Sequence, residues 1–169
     1  AMSEYQLTPE QVADFERDGY VIVRGLFDSS IMSLLSDVAR SDKQKNAAAN
    51  EKLDTQGKAS KLWLDSSLGD DVYSLIAASP RVVDPLEQVF GEPVLHFHHK
   101  MMQKEPRVGG AWEWHQDYGY WYRNEKFLFP HMASCMIAVD KATKANGCLQ
   151  VLRGSHHCGR IEHGDAGMQ

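Results

Sequence analysis

The pattern of apolar residues in this chain of 169 residues changes at Glu92-Pro93. Before this dipeptide, apolar side chains recur at helical intervals, whereas after it they come in short strand-like runs separated by glycine, proline, asparagine and charged residues. Helices followed by strands are typical of an α+β arrangement in which helices pack on a sheet. The sequence therefore predicts one α+β domain over residues 1–169, with a helical part at about 1–91 packed on strands at about 92–169.

Local signals predict helices in the first half. Thr8 precedes a proline and has a glutamine three residues later, as in a capping box, so a helix is predicted to begin there and to end at Gly19. Asp28 or Ser29 can cap a second helix, because apolar residues follow at helical spacing. One or two short helices are predicted around Ser79-Pro80, ending at Gly91.

Strands are predicted where short β-branched or apolar runs lie between turn residues. The predicted strands are residues 20–23, 94–103, 133–140 and 148–152. Residues 41–60 are polar with almost nothing to bury, and they predict a mobile solvated loop, with a cover over an active site as the alternative.

Composition disfavours several classes of partner and location. The formal net charge of −5 and the absence of a basic run argue against nucleic acid and anionic membranes as partners. The N-terminal residues lack the layout of a secretory signal, which predicts a cytoplasmic protein. Cys135, Cys148 and Cys158 form neither an even set nor a Cys-x-x-Cys pair, so they are predicted to be free thiols in a reducing compartment.

The most informative functional signal is the His-x-Asp pattern of His115 and Asp117. If this segment is a strand leading into a turn, the two side chains project from the same face because the side-chain period of a strand is two. An imidazole and a carboxylate side by side supply two corners of the facial triad that binds Fe(II). The pattern alone is weak, and the alternative is a turn histidine followed by an aspartate that caps the turn.

Three separated motifs make the interpretation more specific. The HQDY motif at 115–118 is preceded by KEP at 104–106 and followed by NGCLQVLRGSH at 146–156, and an N-terminal segment extends over 7–27. In this order they resemble the phytanoyl-CoA dioxygenase family of Fe(II)- and 2-oxoglutarate-dependent oxygenases. The resemblance covers nearly the whole chain.

The resemblance implies a double-stranded β-helix (a cupin-like jelly roll) with flanking N-terminal helices. Fe(II) would be bound by His115, Asp117 and a distal histidine, and would be chelated by 2-oxoglutarate. With dioxygen, such an enzyme hydroxylates an unactivated C–H bond of a small molecule (an amino acid, a natural product or an acyl chain) and releases succinate and CO2. The carboxylate of Asp117 favours hydroxylation over halogenation, because a halogenase leaves that ligand position free for a halide. The sequence indicates neither the substrate nor the oligomeric state.

Further site residues follow from matching positions in the family. Lys100, Gln103 and Ser134 are predicted to contact 2-oxoglutarate, although Lys100 could equally be a solvated lysine on an edge strand. Tyr118 and Trp121 are predicted to line the substrate cavity, with an ordinary packing role as the alternative.

The chain departs from the family pattern after Gly154-Ser155-His156, a motif expected to form a bend beside the site rather than a ligand set. The third metal ligand and the arginine that binds 2-oxoglutarate are expected beyond Gln169, so the β-helix is predicted to be incomplete at the C-terminus. A catalytically inactive jelly-roll or cupin-like binding module is the alternative function. A zinc hydrolase would need a ligand set that the sequence lacks. His163, or the cluster of His96, His98 and His99, are weaker candidates for metal ligands.

Overall fold

A computed structural model describes residues 4–54, 56–108 and 110–162. Five helices and three strands form the first two thirds of the described chain, and short helical turns separate irregular segments in the last third. The elements are α1 (Pro9–Asp18), α2 (Ser29–Ser41), α3 (Lys43–Ala48), β1 (Asn50–Leu53), β2 (Ala59–Asp65), α4 (Val72–Ala77), α5 (Pro80–Phe90), β3 (His99–Gln103), α6 (Asp117–Tyr120), a π-helix (Trp121–Glu125) and two 3-10 turns (Lys144–Asn146 and Ser155–Cys158).

The predicted helix ends are confirmed. The Thr8 hydroxyl accepts from the Gln11 amide at 3.2 Å and the Gln11 side chain accepts from the Thr8 amide at 2.9 Å, which completes the capping box of α1. Asp28 caps α2 by accepting from the Ile31 amide at 3.0 Å. Helix α1 is closed by Gly19 at φ 81°, a left-handed conformation that glycine adopts without steric cost, and α5 ends at Gly91.

The three strands form one antiparallel sheet in the order β1-β2-β3. Trp63 of β2 stands opposite Met101 of β3, and Leu64 stands opposite Lys100. Since side chains alternate between faces, Trp63 and Met101 share one face of the sheet while Leu64 and Lys100 share the other. The two faces therefore have different neighbours.

The core lies between the first of these faces and the helices. Leu35 and Ala39 of α2 and Tyr73 and Ile76 of α4 are buried together with Trp63. The rings of Trp63 and Tyr73 meet edge-on with centroids 4.7 Å apart. Helices packed on one face of a small antiparallel sheet confirm the α+β class.

Several predicted elements are wrong. The polar segment at 41–60 contains α3 and β1 instead of a loop, because Asp42 caps α3 and β1 pairs with β2. Residues 20–23 form no strand, and the side chain of Ile22 in that segment is 64% exposed. Of the predicted strand at 94–103 only residues 99–103 form β3, and residues 133–140 and 148–152 are irregular.

Strand formation requires a hydrogen-bonded neighbour, and the described residues after β3 provide no further pairing. The double-stranded β-helix is therefore not seen in the described part of the chain, where a three-stranded sheet stands instead. Among the helices of the same residues, none is long and apolar enough to cross a membrane.

Candidate metal centre

The side chains of His115 and Asp117 meet, with Nε2 of the histidine 3.2 Å from Oδ1 of the aspartate. The segment is not a strand leading into a turn, and Asp117 is instead the first residue of α6. The residue between them, Gln116, nevertheless has an extended conformation at φ −103° and ψ 126°. One extended residue is enough to direct its two neighbours to the same side of the backbone.

The ring of His115 is oriented by its other nitrogen. Nδ1 lies 2.7 Å from the carbonyl oxygen of Glu113, and since a carbonyl can only accept, Nδ1 carries the hydrogen. The rings of Trp112 and Tyr120 flank the imidazole at centroid distances of 6.2 and 5.2 Å. These contacts direct Nε2, the nitrogen that a metal would use, towards Asp117.

Asp117 is held through its second oxygen. The Ser134 hydroxyl donates to Oδ2 at 2.9 Å, which leaves Oδ1 facing His115. The hydrogen bond with His115 lowers the pKa of Asp117 despite burial, and Ser134 and the positive charge of Lys100 lower it further. The same bond with Asp117 raises the pKa of His115 against the effect of burial. The carboxylate is thus kept ionised, as a metal ligand must be.

The separation of the two donor atoms fits a metal ion. Two ligands at right angles on an octahedral ion, each about 2.1 Å from it, lie ~3.0 Å apart. The observed 3.2 Å between Nε2 and Oδ1 is close to that value. The side chains remain 25% and 40% exposed, so an ion can reach them from solvent. Imidazole plus carboxylate is also the donor set that suits non-haem iron.

No third ligand joins the pair within the described residues. Over residues 4–54, 56–108 and 110–162, no group of three histidine, cysteine, aspartate or glutamate side chains converges. His163 lies outside this range. In the alternative cluster, His96 Nε2 lies 3.2 Å from His99 Nδ1, while the ring of His98 contacts Trp121. The described residues therefore bring together one imidazole and one carboxylate, His115 and Asp117, without a third side chain of these types.

Comparison with known proteins identifies the family of the chain. The sequence profile of the phytanoyl-CoA dioxygenase (PhyH) family matches residues 15–166. The chain belongs to the PhyH family. This confirms the resemblance seen in the sequence, and the enzymes of this family depend on iron and 2-oxoglutarate.

Curated relatives carry oxygenase names. The chain is 34% identical over 93 residues to an L-proline trans-4-hydroxylase of Streptomyces griseoviridis, a match that covers 55% of this chain and 35% of the relative. It is 24% identical over 153 residues to an ectoine dioxygenase of Bordetella parapertussis, a match that covers 89% of this chain and 50% of the relative. A probable alpha-ketoglutarate-dependent hypophosphite dioxygenase of Stutzerimonas stutzeri is 25% identical over 157 residues, and this match covers 87% of this chain and 53% of the relative. The chain spans about half the length of most relatives it matches.

The residues predicted to bind the family's co-substrate fall on different sides of β3. Lys100 lies on the sheet face away from the core, and its charge acts on both members of the His115–Asp117 pair. Gln103 is an odd number of residues further along the strand and therefore faces the other way. Its side-chain amide donates to Asn46 of α3 at 2.8 Å. The structure thus brings Lys100 and Ser134 to the pair and separates Gln103 from it.

The two aromatic residues predicted to line a substrate cavity have different neighbours. Trp121 contacts the rings of Phe97 and His98, each with centroids 5.9 Å away. Burial lowers the pKa of His98, which keeps this group of rings uncharged near neutral pH. The Tyr118 hydroxyl donates to the Leu128 carbonyl at 2.8 Å, which ties its ring to the following loop.

Sequence reasoning missed the part played by Gln116. Its side-chain nitrogen donates to the Gly159 carbonyl and its side-chain oxygen accepts from the Ile161 amide, both at 2.8 Å. This pair of bonds fixes residues 159–161 against the metal motif. The available signal was its position between His115 and Asp117, because alternation directs the intervening side chain to the opposite side of the backbone.

The Gly-Ser-His motif lies at the C-terminal end of α1. The Gly154 amide donates to the Asp18 carbonyl at 2.8 Å, and His156 Nε2 lies 2.8 Å from the Glu16 carbonyl oxygen. His156 is thus engaged by backbone and is not directed to the metal pair. This agrees with the interpretation of the motif as a bend rather than a ligand set.

Proposed function

We propose that this chain carries the iron-binding part of an Fe(II)- and 2-oxoglutarate-dependent dioxygenase that hydroxylates a small molecule. The observation that carries the proposal is the convergence of His115 Nε2 and Asp117 Oδ1 at 3.2 Å, with each side chain fixed by a further hydrogen bond. Membership of the PhyH family and the names of the relatives support the same reaction class.

His115 and Asp117 would hold the iron together with a third ligand. When bound, the iron supplies the oxidising chemistry by which dioxygen converts 2-oxoglutarate to succinate and CO2 and hydroxylates a C–H bond. Glu113 and Ser134 keep the two ligands in place, and an intact carboxylate at Asp117 favours hydroxylation over halogenation. Lys100 is proposed to attract a carboxylate of 2-oxoglutarate, because its positive charge already acts at the metal pair.

The substrate is proposed to be a small molecule that contacts Trp121 and Tyr118. Aromatic faces dominate small-molecule sites, and Trp121 lies among the rings of Phe97 and His98. The relatives are named for L-proline, ectoine and hypophosphite, all of them small. The double-stranded β-helix is proposed for the whole protein on the basis of family membership.

The metal centre can be tested by spectroscopy and turnover. Anaerobic addition of Fe(II) and 2-oxoglutarate should give a weak visible charge-transfer band, and dioxygen should then produce succinate. His115→Ala and Asp117→Ala should abolish both. His131→Ala is a matched control, because it removes another histidine–carboxylate pair, with Glu92 at 2.6 Å. The oxygenase proposal fails if the full-length protein gives no band and no succinate, or if the control loses as much as the two ligand variants.

The inactive binding module predicted as an alternative has no support from the three relatives named above, each of which is named as an oxygenase. The same experiment separates the two functions. A band without succinate would favour a metal-binding module, whereas succinate formation would exclude one.

A further inference from the structure

A cleft of about 470 Å³ lies beside the short helix that begins at the metal ligand Asp117. Its lining includes three cationic side chains, Arg123, Lys126 and Arg160, and a single carboxylate, Glu162. The chain as a whole has a formal net charge of −5, so this excess of positive charge is local. A concave surface with converging cations focuses a positive potential and attracts anions.

The first wall of the cleft has an unusual backbone. Residues Trp121–Glu125 form a π-helix directly after α6, and Lys126 follows it in the left-handed conformation at φ 62°. π-Helical turns and left-handed residues other than glycine are both costly and occur often at functional sites. Lys126 Nζ donates to the Arg123 carbonyl at 2.7 Å, which holds the ammonium group in place and leaves two of its hydrogens for other acceptors.

The second wall is attached to the metal motif. The two hydrogen bonds of Gln116 fix residues 159–161, and Arg160 lies over the Tyr122 ring with its guanidinium carbon 4.3 Å from the ring centroid. Arg160 Nη1 also donates to Glu162 at 2.8 Å. The Glu162 side chain is 84% exposed, so it can swing into solvent and free the arginine for another carboxylate.

We propose that this cleft binds a carboxylate, or a comparable oxyanion, of the substrate, with Arg160 and Lys126 as its partners in place of Glu162. The assignment rests on the proposed function, since it names the substrate class of that reaction. Arginine and lysine together provide charge-assisted hydrogen bonds to an anion, and the stacking of Arg160 on Tyr122 fixes the plane of its guanidinium group.

The test is a titration of the full chain without metal, followed by ¹H–¹⁵N NMR at the amides of Gly119, Leu128 and Ile161, which line the cleft. The probes are sodium acetate and inorganic phosphate. Saturable shifts at these amides are expected with at least one of them. Because no iron is present, anion binding can fail or succeed independently of the oxygenase proposal.

Four variants sharpen the test. Lys126→Gly removes the charge and lets glycine adopt φ 62°, and Arg160→Gln removes the guanidinium; each should weaken anion binding about threefold to fivefold. Glu162→Gln removes the competing carboxylate and should strengthen binding about twofold. Arg24→Gln, which removes an exposed arginine outside the cleft, should leave binding unchanged.

Three results would overturn the proposal. The first is the absence of saturable shifts at the cleft amides with both probes. The second is an equal loss in the Arg24→Gln control, which would indicate general charge screening. The third is that 2-oxoglutarate shifts the same amides at concentrations more than about tenfold lower than acetate, which would assign the cleft to the co-substrate. Glu162→Gln is expected to strengthen anion binding, and poor folding would not produce such a gain. This variant therefore keeps the test valid if one of the others folds poorly.

Discussion

Replacing Ser134 with alanine should weaken divalent metal binding at the His115–Asp117 pair about tenfold. The Ser134 hydroxyl donates to Asp117 Oδ2 at 2.9 Å, a hydrogen bond to a charged acceptor. Such bonds contribute about 1.5 to 3 kcal/mol. Because the Asp117 side chain is 40% exposed, water can replace part of this contribution, and we expect a loss near the lower limit.

The measurement is a calorimetric titration with Mn(II), a redox-stable substitute for Fe(II), in the presence of 2-oxoglutarate. Ser30→Ala is the matched control, because Ser30 donates to the carboxylate of Asp28 at 2.6 Å, outside the metal centre. Ser134→Thr keeps a hydroxyl at the same position and should restore most of the affinity. Mn(II) affinity within twofold of the parent chain, in a Ser134→Ala variant with an unchanged circular dichroism spectrum, would refute a role for Ser134 in metal binding.

Three further predictions concern the scaffold. In urea unfolding, Gly19→Ala should lower the free energy of unfolding by about 3 kcal/mol, because the left-handed position is unfavourable and the new Cβ meets the His156 ring. Gly91→Ala, with open space around the glycine, should lower it by only about 1 kcal/mol. Equal losses would contradict the contact with His156. Arg17 lowers the pKa of Asp18, so this ion pair stabilises the fold above the pKa of the unfolded state, and its contribution is lost as the pH falls through the pKa of the folded state. Asp18→Asn should therefore flatten the dependence of the urea midpoint on pH below about 4. An unchanged slope would exclude a contribution of this ion pair to the pH dependence. Gln116→Ala should speed tryptic cleavage after Arg160 several-fold, since it removes both bonds to residues 159–161, and an unchanged rate would contradict that role.

The helix ends could be predicted because their signals are local. A capping side chain, a proline at the first helical position and a terminal glycine act within a few residues, as at Thr8 and Gly19. The polar segment that contains α3 and β1 was wrongly predicted as a loop. Strand β1 pairs with β2 across a short turn in which Asp54 accepts from the amides of Gln56 and Lys58, and the polar composition of the segment hid this hairpin.

The predicted strands at 133–140 and 148–152 illustrate the same limit. An apolar run indicates that a segment can pair but does not provide its partner, and the described residues contain none for these two. Ser134 lies in the first of these segments and still reaches Asp117, because one side-chain hydrogen bond needs no strand around it. The predicted contact between Ser134 and 2-oxoglutarate stays a prediction. The hydroxyl donates its single proton to Asp117, so it has no proton left to donate to a carboxylate of 2-oxoglutarate.

His115 and Asp117 were correctly expected to lie on the same side of the backbone, although the strand assumed for them is absent. Alternation of side chains was expected from a strand, and the strand is absent, yet the extended backbone of Gln116 produces the same alternation over three residues. His115 and Asp117 are therefore directed to one side, while Gln116 binds residues 159–161 on the other. Because one backbone segment positions both the ligands and a wall of the cationic cleft, a change at Gln116 disturbs both sites. Ser134 contacts only the carboxylate of this segment, which makes it the better residue for testing metal binding alone.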